Sequence, residues 1–321
     1  MIREFSYYDK IIVSYSGGKD STALVLNLLE NGADPAQMEL WHQSIDGRGE
    51  TCRRFFDWPA TEGYVNQIAR HLNLSLSYQW REYGFYGELY RTDSRTNGVR
   101  FERHGLFGHL PSSPSGQKST RLKWPAKTAS LTTRWCSAYL KIDVAARALA
   151  NMPDLRDKRI LYVTGERREE STARSKYNES ELHRTNSKSR LVHHWRMGID
   201  WPERRVWDLM EKHGITPHPA YYLGFPRLSC RSCIFYSKDH WATLDQVSPE
   251  VIRMIAETEE DLNFKIDNKF TIKELSQMGK SLLIPENHKY VKLAISDFNT
   301  PISTNNWQLP AGAFGNGGGS L

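Results

Sequence analysis

The sequence predicts an α/β fold built on a doubly wound parallel sheet, with a basic insertion and a mostly helical C-terminal region. Three observations carry this. Short runs with β-branched residues, such as Ile11-Ile12-Val13 and Arg159 to Thr164, read as buried strands. Segments with apolar residues at helical spacing lie between such runs. The alternation of strand and helix then calls for parallel pairing, with the helices covering the sheet faces.

Taken in order, Ile11 to Val13 is the first strand and Thr22 to Leu29 is too apolar for a loop and opens a helix. Asn31-Gly32-Ala33-Asp34-Pro35 stops that helix. Gln37 to Ser44 is the second strand, ended by Ile45-Asp46-Gly47-Arg48-Gly49. Thr61 to Leu72 repeats Tyr64, Val65, Ile68, Ala69 and Leu72 at helical spacing, and Leu74 to Trp80 alternates as a third strand. An insertion over about 81–130 follows, with a long loop from Gly105 to Gln117 rich in Gly, Pro and Ser. Order returns near Thr132, with a helix from about Ala138 to Asn151 and a strand from Arg159 to Thr164. Helices are expected over Pro249 to Leu262, capped by Ser248, and over Thr271 to Leu283. The resulting division is an α/β domain over 1–235, a helical region over 236–298 and a flexible tail over 299–321.

Composition narrows the class. A hydrophobic share of 39% with 25% charged residues is that of a soluble globular protein, and no run approaches the ~18 apolar residues of a membrane span. The N-terminus shows no basic stretch followed by an apolar one, so the expected location is the cytosol. Four cysteines in 321 residues are too few for a disulfide framework, and a Cys-x-x-Cys pair in a reducing compartment points to metal or redox chemistry. The net charge of +6 is concentrated between Arg81 and Lys127, where nine basic residues stand against four acidic ones. Trp80, Tyr83, Phe85, Tyr86, Tyr90, Phe101, Phe107 and Trp124 are interleaved with them. That mixture suits phosphate contacts and base stacking, and it equally suits a solvated insertion whose aromatics pack locally.

The chemistry-bearing stretch is Ser16-Gly17-Gly18-Lys19-Asp20-Ser21, between the first strand and its helix. Adjacent glycines let the backbone approach an anion, and a helix start offers free N–H groups and a positive dipole end. Lys19 adds a full charge, with Ser14, Ser16 and Ser21 as hydroxyl partners; the spacing of a Walker loop is absent. Asp46 falls at the carboxyl end of the second strand, where it would face a ligand or simply serve its turn. At the same edge, Gly165 to Arg174 brings Arg167, Arg168, Arg174 and Ser171, which suit phosphate oxygens or a surface loop with internal ion pairs.

The turn resembles the Ser-Gly-Gly-x-Asp-Ser signature of the PP-loop ATP pyrophosphatases. Gly165-Glu166-Arg167-x-x-Glu170-Ser171-x-x-Arg174 is similar to a block of the phosphoadenosine phosphosulfate (PAPS) reductase family. Asp200-Trp201 with Val206-Trp207, then Pro217-His218-Pro219-Ala220-Tyr221-Tyr222-Leu223-Gly224-Phe225, then Cys230-Arg231-Ser232-Cys233, follow in that family's order. The resemblance implies an adenine nucleotide alpha-hydrolase-like fold of the HUP type, ATP with Mg2+, and catalytic Lys19, Asp20, Arg167 and Arg174. It implies phosphate contacts from Ser14, Ser16, Gly17, Gly18, Ser21, Asp46, Gly165 and Ser171. It further implies a [4Fe–4S] cluster, with zinc second, on Cys136, Cys230 and Cys233. Trp135 stands where such members carry a further cysteine, which leaves Cys52, a non-cysteine ligand or an open site as the fourth position.

The complete turn, with no cysteine after Cys233, sets the chain apart from thiol-dependent sulfonucleotide reductases and aligns it with ATP-using members such as the Dnd-type DNA phosphorothioation enzymes. The expected activity is cleavage of ATP to AMP and pyrophosphate, activating a substrate by adenylylation for sulfur transfer to DNA or RNA. A cysteine-desulfurase-type donor and other subunits are the implied partners. A sulfonucleotide reductase using an external thiol, and a non-catalytic nucleotide- or nucleic-acid-binding subunit, are the alternatives.

Overall fold

The computed structural model describes residues 2–53, 56–228 and 230–315. In chain order the elements begin with β1 (Lys10–Ser14), α1 (Lys19–Glu30), β2 (Met38–Gln43), α2 (Ala60–His71), β3 (Ser75–Arg81) and α3 (Gly84–Leu89). Next come β4 (Val99–Arg103), β5 (Leu106–Leu110), α4 (Trp135–Ser137), a π-helical turn over Ala138–Ile142, and α5 (Asp143–Asn151). β6 (Arg159–Val163), β7 (Ser180–Leu182), β8 (Leu191–Trp195), α6 (Glu203–Lys212) and α7 (Pro219–Tyr222) complete the sheet and its cover. The C-terminal region holds α8 (Lys238–Val247), α9 (Pro249–Leu262), α10 (Ile272–Met278) and α11 (Lys289–Ala294).

The sheet has eight strands in the order β5-β4-β3-β2-β1-β6-β8-β7. Its centre, β3-β2-β1-β6-β8, is parallel throughout. Both edges are antiparallel additions, the β4–β5 hairpin on one side and β7 on the other. Alternation along β1 explains the double winding. Ile11 and Val13 point into the larger core with α1, α2 and the C-terminal helices, while Ile12 points into a second core with Trp41, Leu149 and Val192. The chain leaves β1 in one direction and β6 in the other, so the crevice beyond their carboxyl ends is the switch point where such sheets take ligands.

Three expectations change. Residues 106–110, read as loop, form β5, because His104 and Gly105 both take positive φ (51° and 74°) and make the tight turn a two-residue hairpin needs. Tail residues 299–315 are packed rather than free; 316–321 lie outside the described residues. Trp307 Nε1 donates to the Ile215 carbonyl (2.8 Å), and Gly312 N–H donates to the Tyr221 carbonyl (2.7 Å). Only glycine fits at 312, where a Cβ would stand 2.3 Å from the Phe225 carbonyl oxygen. The helical region of 236–298 is continuous with the sheet's larger core, to which Trp241, Leu244, Ile255, Ile272 and Phe298 all belong.

The basic insertion is mostly neutralised from within. Arg81 pairs with Asp143, Arg91 and Arg121 with the fully buried Glu88, Arg100 with Glu82, Arg103 with Glu39 and Asp154, and Lys127 with Asp267. Trp80, Phe85 and Trp124 are buried. Of the nine basic side chains of the segment, Arg95, Lys118 and Lys123 stand outside ion pairs among the described residues. No described helix is long and apolar enough to cross a membrane.

Candidate active site at the carboxyl edge of the sheet

The turn after β1 is shaped by its glycines. Gly17 has φ of 78°, and a Cβ there would press on Val65 Cγ2 at 3.0 Å, so it turns the chain against the core rather than lining the cleft. Gly18 caps α1 with extended backbone, and its carbonyl accepts from the hydroxyls of Ser21 and Thr22, both at 3.0 Å. Ser16 Oγ accepts from Gly18 N–H at 3.3 Å. The N–H of Lys19 donates to the Tyr221 hydroxyl at 2.9 Å, which ties α1 to a residue 202 positions away.

The side chain of Lys19 is only 6% exposed and lies among three acceptors: Asp20 Oδ2 at 3.2 Å, Glu203 Oε1 at 3.6 Å and the Pro226 carbonyl at 3.3 Å. Burial opposes its charge, but Asp20, Tyr221 and Glu203 outweigh burial and hold its pKa above the ordinary lysine value. Asp20 completes a chain of charges, with Arg167 Nε at 2.6 Å from its Oδ1. Burial works against the Asp20 carboxylate too, and Lys19 and Arg167 overcome it, so its pKa lies below the ordinary value. Arg167, delivered by the loop after β6, also pairs with Glu169 and lies 3.8 Å from Glu203. Arg174 pairs with Glu170, whose Oε2 accepts Arg167 N–H at 2.8 Å.

These groups open onto one cleft of about 960 Å3. Ser14, Ser16, Gly18, Lys19, Asp20 and Ser21 line it from the β1 side, and Gly165, Arg167 and Arg174 from the β6 side. Cys136, Cys230 and Cys233 line the wall beyond. Four expected residues lie elsewhere. Gly17 packs against the core, and Ser171 accepts Arg174 N–H at 3.2 Å, bracing the loop from behind. Cys52 is outside the cleft lining. Asp46 is 6% exposed, and its carboxylate accepts from Phe56 N–H (2.9 Å) and Asp57 N–H (2.8 Å), so it organises a turn instead of facing the cleft.

The thiols do not assemble into a metal site. Among the described residues, no group of three or more His, Cys, Asp or Glu side chains is arranged to hold a metal ion. Burial pushes the Cys136 and Cys230 thiols up, and the nearby Cys233 adds to both shifts. Lys141 Nζ stands 4.0 Å from Cys230 Sγ. The expected [4Fe–4S] or zinc set on Cys136, Cys230, Cys233 and Cys52 therefore does not fit the geometry, and no chemistry is routed through it.

Several contributors carried no role in the sequence. Glu203, at the first turn of α6, holds Lys19, accepts from Trp207 Nε1 at 3.2 Å and accepts from Phe314 N–H at 3.4 Å. Tyr221 was visible only as part of an aromatic loop. Its signal was its place in a motif shared with the Cys230 block, not any local charge or period.

The comparisons follow this geometry. Residues 109–235 match the model of the phosphoadenosine phosphosulfate reductase domain. A 37.8 kDa protein of Escherichia phage 186 is 30% identical over 167 residues, 51% of this chain and 46% of that protein. Adenosine 5′-phosphosulfate reductase of Burkholderia cepacia is 28% identical over 98 residues, 30% of this chain and 35% of that enzyme. The chain thus matches less than half the length of either relative. Candida glabrata FMN adenylyltransferase, crystallised with FMN and an ATP analogue, overlaps 95% of this chain and 82% of its own at 12% identity and a TM-score of 0.38, too loose a likeness to inform the site. The match spans the β6 loop with Arg167 and Arg174 and the wall with Cys136, Cys230 and Cys233, so over residues 109–235 the chain is similar to the phosphoadenosine phosphosulfate reductase domain.

Proposed function

We propose that the chain is an ATP pyrophosphatase that activates an acceptor by adenylylation. The observation that carries this is the Lys19–Asp20–Arg167 array at the switch point, directly beside the start of α1. In the step we envisage, an acceptor oxygen attacks the α-phosphorus of ATP, the bond to the α–β bridging oxygen breaks, and pyrophosphate leaves with the electron pair. Phosphate oxygens replace Asp20 and Glu203 as partners of Lys19 and Arg167, so these cations stabilise the charge gathering on the leaving group. Asp20 is the carboxylate that would hold a magnesium ion bound with the nucleotide, which would offset charge on the phosphates. A sulfur nucleophile then displaces AMP from the adenylylated acceptor.

The acceptor class in this reading is nucleic acid, with sulfur supplied by a cysteine-desulfurase-type donor. Arg95, Lys118 and Lys123, outside the ion pairs of the insertion, are the cations available to its phosphates. The test is product analysis of MgATP turnover with and without DNA or RNA: AMP and pyrophosphate support the reading, and ADP with phosphate counts against it.

A second reading has its own observation. Cys136, Cys230 and Cys233 face the same cleft as Lys19, and the Burkholderia relative bears a reductase name. Under it the cleft takes a sulfonucleotide, and sulfite release from adenosine 5′-phosphosulfate or PAPS with an external thiol would be its mark.

A further inference from the structure

The arginines that line the cleft fall into two groups. Arg167, Arg174, Arg184 and Arg196 each pair with a carboxylate. Arg134 and Arg227 pair with none among the described residues, although both line the cleft. Arg134 enters from the residue before α4 and Arg227 from the loop before Cys230, and both converge on one ring. Their guanidinium carbons lie 5.7 and 5.5 Å from the centroid of Phe235. The Nε of Arg134 is buried without a hydrogen-bond partner. Arg134, half-buried with its own orphaned donor and with the Arg174 and Arg227 charges nearby, is costly unless an anion joins it, whereas the Cys233 thiol and Glu170 offset part of the burial of Arg227. The Phe235 face offsets only a small part of that cost.

We infer that Arg134 and Arg227, flanking Phe235 on the cysteine side of the cleft, form a seat for a second oxyanion of the sulfate or phosphate type, apart from the phosphates at Lys19. Two guanidinium forks suit a tetrahedral oxyanion, which accepts paired N–H donors from each. The seat adjoins Cys136, two residues after Arg134, and Cys230, three residues after Arg227. It gives the cleft a place for an anionic group of the acceptor or of a sulfonucleotide, and it stands whether or not ATP is the nucleotide at Lys19.

The experiment is calorimetric and thermal-shift titration of the full chain with sodium sulfate or inorganic phosphate, against sodium chloride at matched ionic strength. Stabilisation by sulfate is expected to persist at saturating MgATP and in Lys19→Ala. Arg134→Gln and Arg227→Gln are each expected to weaken sulfate binding at least tenfold while MgATP affinity stays within about twofold. Arg134→Lys, which keeps the charge and loses the fork, should fall between, and it covers the case of a poorly folded glutamine variant. Sulfate binding that is abolished by Lys19→Ala or by saturating MgATP, yet unchanged in the arginine variants, overturns the inference. Loss of MgATP binding with an intact, Arg134-dependent sulfate response overturns the nucleotide reading alone. Adenosine 5′-phosphosulfate tells the sources apart: competition with sulfate assigns the seat to a nucleotide-borne group, and additivity assigns it to a free ion.

Discussion

Arg167 Nε lies 2.6 Å from Asp20 Oδ1, so the loop after β6 clamps the first turn of α1 across the switch point of the sheet. The clamp fixes Lys19 as well, because Asp20 Oδ2 is 3.2 Å from its ammonium. Charge in the cleft is thus preorganised by loops from two strands that are neighbours only because the sheet order reverses there.

The first expectation concerns this clamp. Arg167→Ala leaves Lys19 as the one cation paired with Asp20 among the described residues and, in the proposed reaction, removes a cation from the leaving phosphates. AMP formation should fall by about 100-fold or more, with a smaller change in nucleotide affinity. Steady-state kinetics measures both, and an unchanged turnover number would place Arg167 outside the chemistry.

The Tyr221 hydroxyl accepts the Lys19 N–H at 2.9 Å in a buried setting. Tyr221→Phe removes the acceptor and keeps the ring, leaving a buried donor unpaired. A stability loss of about 1–3 kcal/mol is expected by denaturant unfolding, accompanied by weaker nucleotide binding as the turn loosens.

Asp57 gives a pH dependence. Burial, and then the neighbouring Asp46 carboxylate, raise its pKa from 3.8 to about 7. Between these values the folded chain holds a proton that the unfolded chain has released. Stability contributed by this group therefore falls as pH rises from about 4 through 7. Asp57→Asn, which keeps an acceptor for Trp58 N–H and Thr61 Oγ, should raise the melting temperature at pH 8 and leave it nearly unchanged at pH 4. A stabilisation of equal size at both pH values would refute the assignment.

The insertion is expected to behave as structure. Arg103 meets Glu39 through Nε at 2.6 Å and Nη2 at 2.7 Å, and the Glu39 side chain is fully buried. Arg103→Ala should cost about 3–5 kcal/mol, because it strands that carboxylate. Chemical denaturation measures it, and a loss below about 1 kcal/mol would mean that the pair is solvated in solution.

Local chemistry made much of the site legible in the sequence. Gly17-Gly18-Lys19 announced a strand-to-helix turn, and the charged run from Glu166 to Arg174 announced the loop that meets it. That β1 is a buried parallel strand followed from its apolar run. What could not be read was pairing at a distance. Nothing near Glu203 signals that it faces Lys19, and the positive run from Arg81 to Lys127 gave no hint that Glu39, Asp143 and Asp154 come from other elements to neutralise it. Asp46 was misplaced for the same reason: its backbone partners at 56 and 57 are set by the fold of the following turn. The cysteines were read as a ligand set from spacing and resemblance; the fold does bring Cys136, Cys230 and Cys233 to one wall, but whether side chains there are arranged round an ion is set by packing that spacing does not show.

The most direct test is the product of MgATP turnover by the full chain and by Lys19→Ala, separated by anion-exchange chromatography. AMP and pyrophosphate in equal amounts from the wild type, reduced by about 100-fold or more in the variant, is the expected result. ADP with inorganic phosphate, or AMP formation equal in the two proteins, would contradict it.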